Sequence, residues 1–160
     1  MGFFNQFTEK GKEENRQKEE KWLQEIYNPV KNVIVTTCDI KDRKYEIIRP
    51  CFYQVSNKGW FNDKLMNELK DPVAKKYLQE TKQEQEKESA LGFFFYGEAS
   101  VHQEEFEEAF TAAVVNLKKQ ALAAGGNAVI GYRQNIEIDT DNKHAWFYLQ
   151  CYGTIVKFVD

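Results

Sequence analysis

At 160 residues, 42% of them hydrophobic and 14% aromatic, the chain is the size of one domain and can build a core, which excludes wholesale disorder. A formal net charge of -3 and a pI near 5.6 exclude a general nucleic-acid-binding role, which needs a basic face. No apolar run reaches the ~20 residues of a membrane span.

The chain opens on "MGFFNQF", which lacks the basic start and long apolar stretch of a secretory signal and carries Gln6 where a myristoylation motif needs Ser or Thr. A cytoplasmic location is therefore expected. Phe3, Phe4 and Phe7 form an apolar tip, and residues 8–21 contain no large apolar side chain. Trp22, Leu23, Ile26 and Tyr27 follow at helical spacing before Pro29. The pattern predicts an N-terminal helix docked by its last two turns, stopped at Pro29, and offering a surface to a protein partner.

Next come "NVIVTTCDI" and "KYEIIRPCFYQV", β-branched and aromatic runs separated by "KDR". They predict an antiparallel hairpin of residues 32–40 and 45–56, with Pro50 marking an edge position or a bulge. In "WFNDKLMNELKDP" Phe61, Leu65, Met66 and Leu69 keep helical spacing and Pro72 interrupts it. "AKKYLQETKQEQEKES" has only Tyr77 and Leu78 as large apolar residues and predicts an exposed helix or insertion; "GFFFYGEAS" fits either a strand or a buried connector.

Ser100 and Gln103 make a capping-box pattern, and the acidic residues from Glu104 to Glu108 suit a helix start. Phe106, Phe110, Ala113, Val114, Leu117, Ala121 and Ala124 then trace one apolar stripe, predicting a helix from about 102 to 124 that Gly125, Gly126 and Asn127 close. Two strands, about 128–138 and 144–158, flank the turn-forming "DTDNK". Ile130, Tyr132, Ile136 and Ile138 are expected on one face of the first. In the second, Phe147, Leu149 and Ile155 oppose Trp146, Tyr148, Tyr152, Val156 and Phe158. Both faces of that strand are apolar and one helix covers only one of them, so a second copy of the chain is expected on the other.

"VIVTTCDIKDRKYEII", a helical middle, "ALAAGGNAVIGYRQNIEI" and "CYGTIVKF" together resemble the YbjQ-like family, also named for heavy-metal binding. The resemblance covers roughly residues 32–58 and 102–158. Its most specific part is Gly126-Asn127-Ala128-Val129-Ile130-Gly131; then come Val35-Thr36-Thr37, Tyr45-Glu46-Ile47-Ile48 and Gly153-Thr154. The resemblance implies an α+β domain over 32–160, its long helix on a mostly antiparallel sheet in a β-β-α-β-β core of the dodecin-subunit kind. It also implies ring-like homopentamers. The chain departs from the family pattern in its extension over 1–31, its helical insertion at about 60–90, and "CFYQVSNKG" in place of a glycine-rich stretch.

The family label makes metal the first site to weigh. A soft metal needs three or four converging thiolates or imidazoles, and the candidates are Cys38, Cys51, Cys151, His102 and His144. None of the cysteines forms a CxxC pair, so neither a disulfide framework nor a zinc knuckle is indicated. Pairing about the 41–44 turn would set Cys51 opposite Ile34 and leave the Cys38 and Cys51 thiols ~13 Å apart. Chelation would then require ligands from several subunits. "DTD" at 139–141 lacks the length and terminal Glu of a calcium loop. No nucleotide-binding or hydrolase motif occurs, and "GGNAVIG" follows a helix and opens a strand, the reverse of a phosphate cradle. Glu46, Glu98, Glu137 and Asp139 are the carboxylates that could pair as acid and base. The expected function is a non-enzymatic, homo-oligomeric binding or scaffold module without a cofactor. The alternative is a metal-binding protein using intersubunit Cys and His ligands.

Overall fold

The computed structural model describes residues 3–92, 103–140 and 145–159. Ser100, His102, His144 and the aromatic run after Gly92 lie outside the described residues, as do the side chains of the Phe3, Phe4 and Phe7 tip. The elements are α1 (Phe3–Trp22), a π turn (Leu23–Tyr27), α2 (Asn28–Asn32), β1 (Ile34–Val35), β2 (Tyr45–Ser56), α3 (Trp60–Lys70), α4 (Pro72–Gly92), α5 (Gln103–Ala123), β3 (Ala128–Thr140) and β4 (Ala145–Phe158). The protein is a mixed α+β fold whose four-stranded sheet has the order β1-β3-β4-β2. Among the described residues no helix is long and apolar enough to cross a membrane.

Pro29 does not stop the N-terminal helix. The Asn28 N–H reaches the Leu23 carbonyl, one residue further back than in an α-helix, and this π turn absorbs the donor that proline lacks. The extra residue also rotates the apolar face. Tyr27 and Val30 are buried with Trp22 and Leu23 beside them, whereas Ile26, expected in that patch, is exposed. These residues pack on Val73, Ala74 and Tyr77 of α4 and Val115 of α5, so the start of α4 is buried as well.

The expected hairpin of 32–40 and 45–56 does not form. β1 is two residues long and runs parallel to β3, with Ile34 beside Ala128 and Val35 beside Val129. β2 pairs antiparallel with β4 at the far side of the sheet. The Thr36 hydroxyl accepts the Cys38 N–H, a local turn that ends β1. The connection to β2 then passes behind the sheet, where Ile40 and Tyr45 cover Ala128, Val156 and Phe158, and the Arg43 guanidinium lies 3.9 Å from the centre of the Phe158 ring. One end of the sheet's second face is thus covered by the chain itself. Pro50 sits as its type predicts, on an edge strand beside a bulge between Ile47 and Arg49.

The expected boundaries of the long helix hold closely. Gly125 takes φ +79°, its N–H reaches the Leu122 carbonyl at 2.9 Å, and the Gly126 N–H reaches the Ala121 carbonyl at 2.8 Å. That pair of bonds is the Schellman closure, which satisfies carbonyls a helix end leaves open. Ala109, Ala112, Ala113, Leu117 and Ala121 lie against the sheet with Tyr53, Val55, Leu149 and Ile155. A second buried side, through Thr111, Val115 and Lys118, faces away from the sheet toward α2 and α4.

The single face expected for Ile130, Tyr132, Ile136 and Ile138 is broken by a bulge. Ile130 pairs with Thr154 and Arg133 with Tyr152, so β3 carries one extra residue there, with Gly131 at φ +59°. The bulge inverts the alternation: Ile130 joins the cluster behind the sheet, while Tyr132 and Ile136 join the core under α5.

Candidate functional site

The register of β4 decides where the cysteines sit. Cys51 pairs with Gly153 and Tyr53 with Cys151, so Cys51 and Cys151 are diagonal neighbours on adjacent strands. Both thiols are buried in the cluster under α5. The Cys151 sulfur lies 3.2 Å from the Tyr132 hydroxyl, which donates its proton to Gln134 Oε1 at 3.1 Å. Tyr53 is the cross-strand partner of Cys151, and its buried hydroxyl has no hydrogen-bond partner among the described residues.

Burial pushes the Cys51 thiol up, against smaller opposing effects from the Gly153 main chain and Arg49. It pushes the Cys151 thiol up too, against the Tyr132 hydroxyl. Tyr53 is raised by burial and then by the Glu68 carboxylate, and Tyr132 by burial and then by Cys151. Such thiols stay protonated at neutral pH, the reverse of an activated nucleophile or a metal ligand. Cys38 is exposed in the β1–β2 connection, and His102 and His144 are outside the described residues. Among the described residues no three His, Cys, Asp or Glu side chains converge as a metal set. The described residues of one chain therefore do not assemble a donor set around a resident metal. The adjacency of Cys51 and Cys151 carried no signal in the sequence, because strand register is a tertiary property.

The described candidate carboxylates fall at two places on the sheet. Glu46 pairs with Lys157 at one end of the sheet, while Glu137 and Asp139 pair with Tyr148 and Trp146 toward the other. Glu98 is outside the described residues.

Two concavities flank the helices. A cavity of about 310 Å³ lies between α4, α5 and β3, with Leu78, Phe106 and Phe110 as its apolar walls and Thr111 and Gln134 as polar ones. A shallower groove of about 450 Å³ runs between α3 and α5, with Trp60 at its lip. Asp63, Glu68 and Asp71 with Lys64 and Lys119 supply the charged lining of the groove.

The more distinctive surface is the sheet face away from α5. The register places Phe52, Tyr152 and Arg133 in one row across it, then Gln54, Gln150 and Asn135, then Ser56, Tyr148 and Glu137. Phe52 is 54% exposed and Tyr152 43% exposed. At its end the Lys58 ammonium sits 4.1 Å from the centre of the Trp146 ring.

Lys118 went unnoticed in the sequence because it falls between apolar stripe positions. It is buried, donates to the Lys31 carbonyl at 2.9 Å, and lies 4.8 Å from the centre of the Tyr77 ring. Burial, and then the nearby Lys31 charge, bring its pKa down to about 8.

The family model for YbjQ proteins, described as "Putative heavy-metal-binding", matches residues 55–159. A crystal structure of a protein of unknown function from Pediococcus pentosaceus, in the DUF74 family, is similar at 17% identity. The match covers 79% of this chain and 98% of that one, with a TM-score of 0.47. No curated protein matches.

Proposed function

Since the chain belongs to the YbjQ family, we propose that it is a cytoplasmic, self-associating binding or scaffold module without catalytic activity, a homopentamer with a dodecin-subunit-like core. The observation that carries this reading is the open sheet face, where Phe52 and Tyr152 stand side by side in register and exposed. Burying such an aromatic pair on a partner removes apolar area from water at about 25 cal/mol per Å², and closed rings of identical subunits cover such faces without leaving one free. The N-terminal helix offers a second partner surface, since residues 12–21 are exposed throughout.

The test is native mass spectrometry of protein purified without chelator or added metal. A metal-free mass of five subunits, or of a multiple of five, that falls apart in the Phe52→Ser/Tyr152→Ser double variant supports the reading. A stable monomer of 18.8 kDa at micromolar concentration rejects it. The family description favours one alternative, a metal held between subunits. Cys38 is the exposed thiol that could reach across an interface. A stoichiometric metal mass that survives Cys38→Ser, Cys51→Ser and Cys151→Ser rejects thiol ligation.

A further inference from the structure

The two long edges of the sheet are finished differently. On β2 the outward-facing main chain is closed off. Pro50 has no N–H, the Gln120 side chain donates to the Phe52 carbonyl at 2.9 Å, and the Lys64 ammonium donates to the Gln54 carbonyl at 3.2 Å. These are the devices that keep an edge strand from pairing.

Among the described residues β3 has no such protection. β1 covers it only at Ala128 and Val129, and among the described residues the last main-chain bond on that side runs from the Tyr132 N–H to the Thr36 carbonyl. Beyond it β3 continues to Thr140. Because Tyr132 points its N–H outward, Gln134, Ile136, Ile138 and Thr140 do so as well. Among the described residues none donates to or accepts from this stretch of edge. Ile138 is 69% exposed on it.

The strand is also complementary to itself. Turned antiparallel about Ile136, it sets Ile136 against Ile136 and Gln134 against Ile138 at hydrogen-bonded positions, where both strands point their main-chain groups at each other. The same register sets Arg133 opposite Asp139, and Asn135 opposite Glu137, at the intervening positions where side chains come closest. Each strand therefore contributes one cation, Arg133, and one anion, Asp139, to two symmetry-related ion pairs. Among the described residues Asp139 is held within its own chain only by an exposed contact with Lys58 at 4.0 Å. Shifting the register so that Glu137 meets Glu137 would place like charges together.

We propose that the open edge of β3 pairs with the β3 of a second copy, antiparallel about Ile136, making one continuous sheet across a two-fold axis. The contact is isologous and distinct from the heterologous contact of a ring, so it would join two rings or, without rings, make a dimer.

The test places single cysteines along the strand in a Cys38→Ser background and oxidises the native protein. The narrow pair at the axis brings Cα atoms to about 5.5 Å, within disulfide reach. Ile136→Cys should give a covalent dimer on a non-reducing gel, and Asn135→Cys should not. In native mass spectra the wild type should show an even number of subunits. Arg133→Asp should halve that number, and Arg133→Asp/Asp139→Arg should restore it. Cross-linking at Asn135 in place of Ile136 overturns the register, and no cross-link at either overturns the proposal. A dimer that cross-links at Ile136 would keep the edge contact and reject the ring. A fivefold mass without cross-links would do the opposite.

Discussion

The Lys118 ammonium donates to the main-chain carbonyl of Lys31 at 2.9 Å and so ties the long helix to the last turn of the N-terminal segment. The bond lies where a helix end presents open carbonyls, which favours a cation. Among the described residues no acidic partner offsets the burial of this lysine, and the charge acting on it is another cation, Lys31.

That arrangement predicts a rise of stability with pH. A lysine held at about 8 when folded, against about 10.4 when unfolded, binds fewer protons in the native state across that window. Unfolding free energy therefore increases as pH rises from about 8 toward 10, and the contribution is lost as pH falls back through 8. Lys118→Met should remove this rise while staying within about 1–2 kcal/mol of wild type at pH 7. Urea midpoints of the two proteins at pH 7 and pH 9.5 measure it; parallel shifts would show that Lys118 is not the group responsible.

Gly125 and Gly126 stand together but should respond differently to alanine. At Gly125 an added Cβ has open space and the cost is the positive φ, about 1 kcal/mol. At Gly126 it would come within 2.5 Å of Ile155 Cγ2 and 2.9 Å of the Val156 carbonyl oxygen. The carbonyl is fixed by the sheet, so Gly126→Ala should cost about 2–3 kcal/mol. Thermal unfolding that ranked Gly125→Ala as the more damaging change would contradict the packing of the helix end on β4.

Asp71 starts α4. Its Oδ1 accepts the Val73 N–H at 2.9 Å and the Ala74 N–H at 3.2 Å and lies 3.0 Å from the Lys119 ammonium. Burial works to raise its pKa, but Lys119 and the two N–H donors prevail and hold the carboxyl below the usual range. Asp71→Ala should cost about 1–2 kcal/mol near neutral pH. Because the folded pKa is depressed, the difference between variant and wild type should shrink as pH falls through the lowered value. Denaturation at pH 7 and at pH 2.5 checks both statements.

Thiol reactivity should divide one against two. Exposed Cys38 should react with a thiol reagent in the native protein within the mixing time of an ordinary assay. Cys51 and Cys151, buried and held protonated, should wait for unfolding. Two fast native thiols would mean that the sheet opens beneath α5.

What the sequence determined by itself is what depends on near neighbours. The apolar stripe of α5, its closure on Gly125, the pairing of β3 with β4 across a short polar turn and the two apolar faces of β4 all follow from spacings of two to four residues. The YbjQ resemblance was legible for the same reason, since it rests on that helix end and the strands beside it. The tertiary structure alone decided which strands became neighbours. "NVIVTTCDI" and "KYEIIRPCFYQV" look like a hairpin locally, yet β3 and β4 offered each of them a partner that also buried its side chains. That choice put Cys51 beside Cys151, closed the β2 edge and left the β3 edge without a main-chain partner among the described residues. The bulge at Gly131 was equally hidden, because one added residue moves every later side chain of a strand to the other face without changing its composition. Lys118 shows the remaining limit: a lysine reads as exposed in any sequence pattern, and only the packing of α2 and α4 on the far side of α5 buried it.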